Sequence, residues 1–340
     1  MQKEGEKGMR KKVALIISLI MISFIAFAGC SKDPAKTLIN SIEKTAVIDK
    51  CTETVDFDMK INAGENLKTG NETDAQIAAL FSNIKGTFNV KSDRTGKAMY
   101  CDGNLGMGGI NVNTKMYMKD NKIAMQIPMF PKYLVVDMSK YEKDKKQDSK
   151  AQAELSKKIL DILKKSLSKD KVTLTDNKKI NTINGDVNVS EITVKYTDED
   201  IKNIMSQFTD VVYSDNTFKS YAIDNLKKSQ NGQGLSEADL NKMLEDEIKK
   251  FKDELKNVEF KDFVYTADID KNSYIIQQKI SFKANDLSGE AKGSGIEVNM
   301  TTKTTDIGKD INFEMPKLDE TNSMNIEDLN SNDGLNSNIN

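Results

Sequence analysis

The chain has 340 residues, with 50 Lys+Arg against 52 Asp+Glu, three Cys, no His and no Trp. Without His there is no Ser-His-Asp or Cys-His nucleophile pair and no His-ligated zinc or haem, and three cysteines cannot supply a four-thiolate metal site. Only two Arg occur, Arg10 and Arg94, so the chain is poorly equipped for bidentate recognition of phosphate or carboxylate.

Residues 1–12 carry five basic and two acidic side chains, and Val13 to Ala28 is a sixteen-residue run without charge. That run is short for a membrane span and fits the apolar region of a signal peptide. Met9-Arg10-Lys11-Lys12 is a complete basic start by itself, so translation from Met9 is an alternative. The run closes on Phe27-Ala28-Gly29-Cys30, which resembles the lipobox of bacterial lipoproteins with Phe27 in place of the usual Leu. The resemblance implies cleavage before Cys30 and a diacylglyceryl group on its thiol. An ordinary cleaved signal and an uncleaved anchor are the alternatives. Each buried methylene contributes about 0.8 kcal/mol, so two acyl chains anchor stably where one is marginal. From Cys30 onward 45 basic residues face 50 acidic ones, which argues against nucleic acid or anionic headgroups as partners.

Asp33-Pro34 reads as N-cap and first position of a helix with Leu38, Ile42 and Ala46 on one face. Residues 51–62 alternate, with Cys51, Val55, Phe57, Met59 and Ile61 on one side. A polar loop and a short helix near 74–82 precede strands at about 84–92, 97–106, 109–118, 122–128 and 132–139. Asp93-Arg94-Thr95-Gly96 and Lys119-Asp120-Asn121 supply turns. This is a meander with one wet face. If its first strands are neighbours, Cys101 falls opposite residue 88 and Cys51 opposite residue 94. At about 3.3 Å per residue they lie about 20 Å apart along the sheet, which favours free thiols over a disulfide.

A helix is expected over Ser149–Leu167, with Leu155, Ile159, Ile162 and Leu163 as its apolar face. Val172 and Leu174 begin the next strand, and Asn184-Gly185 is a type I′ hairpin signal joining 179–183 to 186–196. The apolar parity switches between Val189 and Ile192, which a bulge near Ser190-Glu191 would reconcile. Thr197 and Ser236 each open a helix with an acidic residue three positions on. Ile201, Met205 and Phe208 form the stripe of the first; Leu240, Leu244 and Leu255 lie on that of the second; a further helical stretch covers about 216–229. Strands return at 258–270, 273–284 and 291–304, with Ile269 facing Tyr274. Residues 321–340 hold seven Asn and few apolar side chains, as a disordered tail does.

Helices do not alternate with single strands, which argues against a doubly wound parallel sheet. The expected fold is α+β: one large curved antiparallel sheet, a half-barrel, packed against several helices. The expected organisation is a signal peptide over 1–29, one domain over 30–316 with two sub-halves meeting near 140–170, and a tail over 317–340.

Apparent chemical motifs have plainer readings. Asp268-x-Asp270-x-Asn272 starts like a calcium loop but lacks the sixth-position Gly and the twelfth-position Glu, so a hairpin tip explains it. Asp56 and Asp58 share one strand face, as a solvated face would have it. The glycines between 103 and 109 sit between two strands, where a turn or close backbone contact is expected rather than a phosphate loop. Seven of sixteen methionines fall between Met99 and Met138. Two readings fit them: gap-filling in an ordinary core, or the deformable wall of a hydrophobic pocket. The second makes Phe57, Met59, Met116, Met118, Met125 and Ile127 candidate pocket residues.

The lipobox, the Asp33-Pro34 helix, the meander, Asn184-Gly185 running into Glu191–Tyr196, the Thr197 cap and the closing Ile311–Pro316 together resemble the LolA/LppX/LprG-like envelope lipoproteins of bacteria, Gram-positive members included. That resemblance implies a sheet wrapped on helices around a cavity for acyl chains. Two functions follow: a membrane-anchored protein on the extracytoplasmic face that holds a lipid or other apolar molecule, or a structural or interaction lipoprotein with a solid core. No cofactor and no catalytic residue is expected, since no nucleophile–base constellation stands out.

Overall fold

The side chain of Asp33 accepts a hydrogen bond from the amide of Ala35 and caps helix α1 (Pro34–Ala46). The computed structural model describes residues 33–63, 80–128, 130–139, 149–183, 185–228, 234–287 and 293–326. The lipobox residues Phe27, Ala28, Gly29 and Cys30, most of the expected helix near 74–82, Met129, Asn184 and the chain after 326 lie outside them.

After α1 come strands β1 (Lys50–Ala63), β2 (Asn83–Asp93), β3 (Ala98–Met107), β4 (Ile110–Lys119), β5 (Lys122–Gln126) and β6 (Tyr133–Asp137). Helix α2 (Ser149–Ser166) leads to β7 (Val172–Thr182) and β8 (Gly185–Tyr196). Three helices follow: α3 (Asp198–Ser214), α4 (Asn216–Lys228) and α5 (Glu237–Lys256). The chain then returns to β9 (Val258–Ile269), β10 (Ile275–Asp286) and β11 (Ser294–Thr305), and ends its described course on β12 (Ser323–Asn325).

The twelve described strands form one sheet in the order β12-β6-β5-β4-β3-β2-β1-β11-β10-β9-β8-β7. The chain builds one half outward from β1, crosses to the far edge at β7, and works back until β11 pairs with β1. The fold is therefore α+β with a single large curved sheet, antiparallel except where β12 joins β6.

Turns and caps obey the local chemistry. Asp120 and Asn121 both have positive φ, as do Gly108 and Gly109, so both tips of β4 turn in the left-handed region that tight hairpins require. Gly103 meets a different need: a Cβ there would sit 2.1 Å from the Phe88 ring, which lies across the strand. Thr197 and Ser236 form complete capping boxes with Asp200 and Asp239.

Three registers depart from the sequence-based expectation. Cys101 faces Val90 and Cys51 faces Ser92, so two residues, not six, separate the cysteines along β2. They remain two strands apart on one face, about 10 Å at normal strand spacing, beyond the reach of a disulfide, and both are free thiols. In the β9–β10 hairpin Ile269 faces Ile275, not Tyr274, because register shifts beyond Ile275 and Ser281 break the alternation. The extra residue between β7 and β8 lies on β7, at Asp176–Asn177 opposite Ser190, with Asn177 at φ 56°. Beside it Lys178 pairs with Glu191 and lies 3.8 Å from Asp268, which is 1% exposed.

Residues 317–326, expected as part of the tail, pack against the sheet. Phe313 stacks on Tyr100, Asp319 accepts the Thr321 amide in a tight turn, and Tyr133 donates to the Asn322 carbonyl. Polar residues 317–326 thus satisfy the open backbone edge of β6, which a composition argument does not register.

The cysteines give a direct solution test. Cys51 is buried and close to Ser92 Oγ, and burial raises both thiols above their ordinary range. Expected thiol titration: both react promptly in denaturant and slowly in the folded chain, since the thiolate is the reacting form. Zero reactive thiols in denaturant would mean a bridge.

Candidate functional site

Described helices α1, α2, α3 and α5 pack over β7 to β10, and between α1–α3 and the sheet the packing is incomplete. A cavity of about 450 Å³ remains. Its roof is Leu38, Ile39 and Ile42 from α1, Leu163 from α2, and Ile201, Ile204, Met205 and Phe208 from α3. Its floor is Val55 from β1, Val194 and Tyr196 from β8, Phe260, Phe263 and Tyr265 from β9, Ile275, Ile280 and Phe282 from β10, and Met300 from β11.

The same periodicities that bury these side chains create the space. A helix stripe at i, i+4, i+7 in Ile201, Met205 and Phe208 faces strand positions of one parity, and the curvature of a long sheet keeps the two surfaces from closing fully. Protein interiors hold few voids larger than a water molecule.

Polar anchors hold the walls. Thr45 accepts the Ile275 amide at 2.9 Å and donates to the Ser41 carbonyl, tying α1 to β10. Tyr196 shares a 2.6 Å hydrogen bond with Ser166, joining β8 to α2, and burial pushes its hydroxyl up to about 12. Tyr265 is pushed higher still by burial and donates to Gln278 at 3.2 Å. Arg94 donates to the Ala46 carbonyl at the end of α1.

Glu53 and Arg94 are the charged residues of the lining. Burial raises the Glu53 carboxyl above its ordinary value of 4.5, and Arg94 counters part of that. A raised acid favours the folded state while protonated, and this support is lost as pH rises from the ordinary value through the raised one. Glu53→Gln is therefore expected to raise the melting temperature at pH 7, with the gain shrinking to nothing near pH 4. An equal gain at both pH values would refute the assignment.

The six pocket residues expected from sequence do not line this cavity. Phe57 and Met59 share the parity of Glu53 and Val55 but lie farther along β1, where Phe57 stacks on Phe88 at 5.9 Å. Met116 and Met118 face Cys101 and Met99, and Met125 faces Met116 and Leu134. These methionines occupy the same sheet face several strands away, and Ile127 follows the end of β5. Asp56 accepts from Thr87 and Asp58 pairs with Lys85 on the opposite face. Asp270 accepts amides of its own hairpin tip. Among the described residues no helix is long and apolar enough to cross a membrane.

No family model matches the chain, and no curated protein matches it. Among solved structures it is similar to a beta-barrel-like protein of the domain of unknown function DUF1849 from Brucella abortus, at 9% identity and a TM-score of 0.20 over 76% of this chain and 98% of that one. A likeness at that score does not establish a shared fold.

Proposed function

We propose that the chain is a lipid-anchored bacterial lipoprotein of the extracytoplasmic face, of the LolA/LppX/LprG-like type, that holds one apolar molecule between its sheet and its helices. The observation that carries this reading is the cavity of about 450 Å³ with an apolar lining, a size within the usual range of small-molecule sites. The signal-like run ending at Cys30 supports an anchor and an envelope location. The alternative of a solid-cored interaction protein leaves the void unexplained. The lining presents one carboxylate and one guanidinium beside hydroxyls, with no His or Lys, so binding rather than turnover is its chemistry.

Native mass spectrometry of the full chain, purified from bacterial membranes, tests the reading. The expected spectrum shows protein carrying an apolar mass that organic solvent removes and that offered lipids replace. Empty protein throughout, with no uptake of any offered apolar compound, would overturn it.

A further inference from the structure

The polar groups of the cavity are not scattered. Glu53 faces Thr304 across β1 and β11, and Thr302 faces Val55 on one side and Gln278 on the other. They form one polar end to an otherwise apolar chamber. Thr302 and Thr304 are each 7% exposed, and among the described residues their hydroxyls have no hydrogen-bond partner. Among the described residues the Glu53 carboxylate accepts no hydrogen bond and has no cation within ion-pair distance, only the longer-range attraction of Arg94. Gln278 uses its carbonyl oxygen once, toward Tyr265, which leaves a second lone pair. Glu53 is the one group at this end that can only accept; the hydroxyls of Thr302 and Thr304 can accept beside it.

Arg94, the nearest counter-charge, sits at the exposed mouth and is committed to the end of α1. The chain holds 48 Lys and places none in the lining. Arg94 offsets only part of the cost of burying the Glu53 carboxylate, and no Lys of the described lining adds to it.

We infer that the cavity selects an apolar chain ending in an ammonium-type cation, held by Glu53 and the hydroxyls of Thr302 and Thr304. This rests on the cavity being a binding site. An ammonium group has three N–H donors and matches three acceptors. An anionic head at this end would face Glu53. A neutral alcohol would satisfy the hydroxyls and leave the carboxylate uncompensated.

Titration calorimetry of the full chain in amphipol, with octylamine, octanol and octanoate at neutral pH and amphipol alone as the blank, tests the inference. Octylamine is expected to bind at least tenfold more tightly than octanol, with octanoate weakest. Glu53→Gln is expected to remove the amine preference, so that octylamine and octanol bind alike. Thr304→Val is expected to weaken octylamine severalfold with the carboxylate still present. An amine that binds no better than octanol, or octanoate binding tightest, overturns the inference and leaves the binding site intact. If none of the three binds, the binding site falls with it.

Discussion

Met205→Trp, and Val55→Trp from the opposite wall, are expected to cut bound apolar material at least tenfold while the chain stays folded. Met205 projects from α3 and Val55 from β1, so each indole enters the same chamber from a different side. Added volume in a packed core costs about 1–3 kcal/mol; a site that already holds a void accepts it at the low end of that range. The chain has no Trp of its own, so each variant carries a single reporter. Its emission is expected to be blue-shifted, and insensitive to added octanol because the space is taken. Unchanged lipid content in both variants, with both folded, would show that the chamber is not the site.

Phe282→Ala is expected to be the most damaging single change in the sheet. Phe282 is 2% exposed on β10, packs within 6.2 Å of Phe263, and belongs to the cluster that joins α3 and α5 to the sheet. Truncating a buried Phe costs about 3–5 kcal/mol, against a usual total of about 5–15 kcal/mol. A fall in melting temperature on the order of 10 °C is expected for a domain of this size. The enlarged cavity should also bind bulkier hydrocarbons, which would restore part of the loss. Ile183→Ala, at a side chain 78% exposed, is the control and should stay within about 0.5 kcal/mol of wild type. Equal losses in the two variants would contradict the placement of the core.

Most elements were legible in the sequence because each carries a local signal. Alternation marked β1 through β5, and Asp33, Thr197 and Ser236 marked helix starts within a residue. Register was less legible. A shift such as that at Asp176–Asn177 is set by pairing with a distant strand, and nothing in the local alternation says which strand carries the extra residue. The site was hardest. Ile201, Met205 and Phe208 were read as the buried stripe they are, but a stripe above a void and a stripe above packed side chains have the same spelling. Glu53 was the one available hint: an acid among the apolar parity of β1, between Cys51 and Val55. The methionine cluster drew attention to β4 and β5 because methionine tolerates deformation, yet the helices gather over the other half of the sheet.

The pairing of β1 with β11 joins residues as far apart in the chain as Thr52 and Thr305. Such contacts give the fold a high contact order, and folding of this kind is slow because a long loop must close before the pairing is rewarded. A polypeptide emerging across a membrane from its N-terminus would hold β1 with one edge open until some 250 further residues had followed. Any lipid captured earlier would meet a chamber with a missing wall. On the proposed reading, loading belongs to the finished chain, since β11, the strand that completes the chamber beside β1, is among the last to be made.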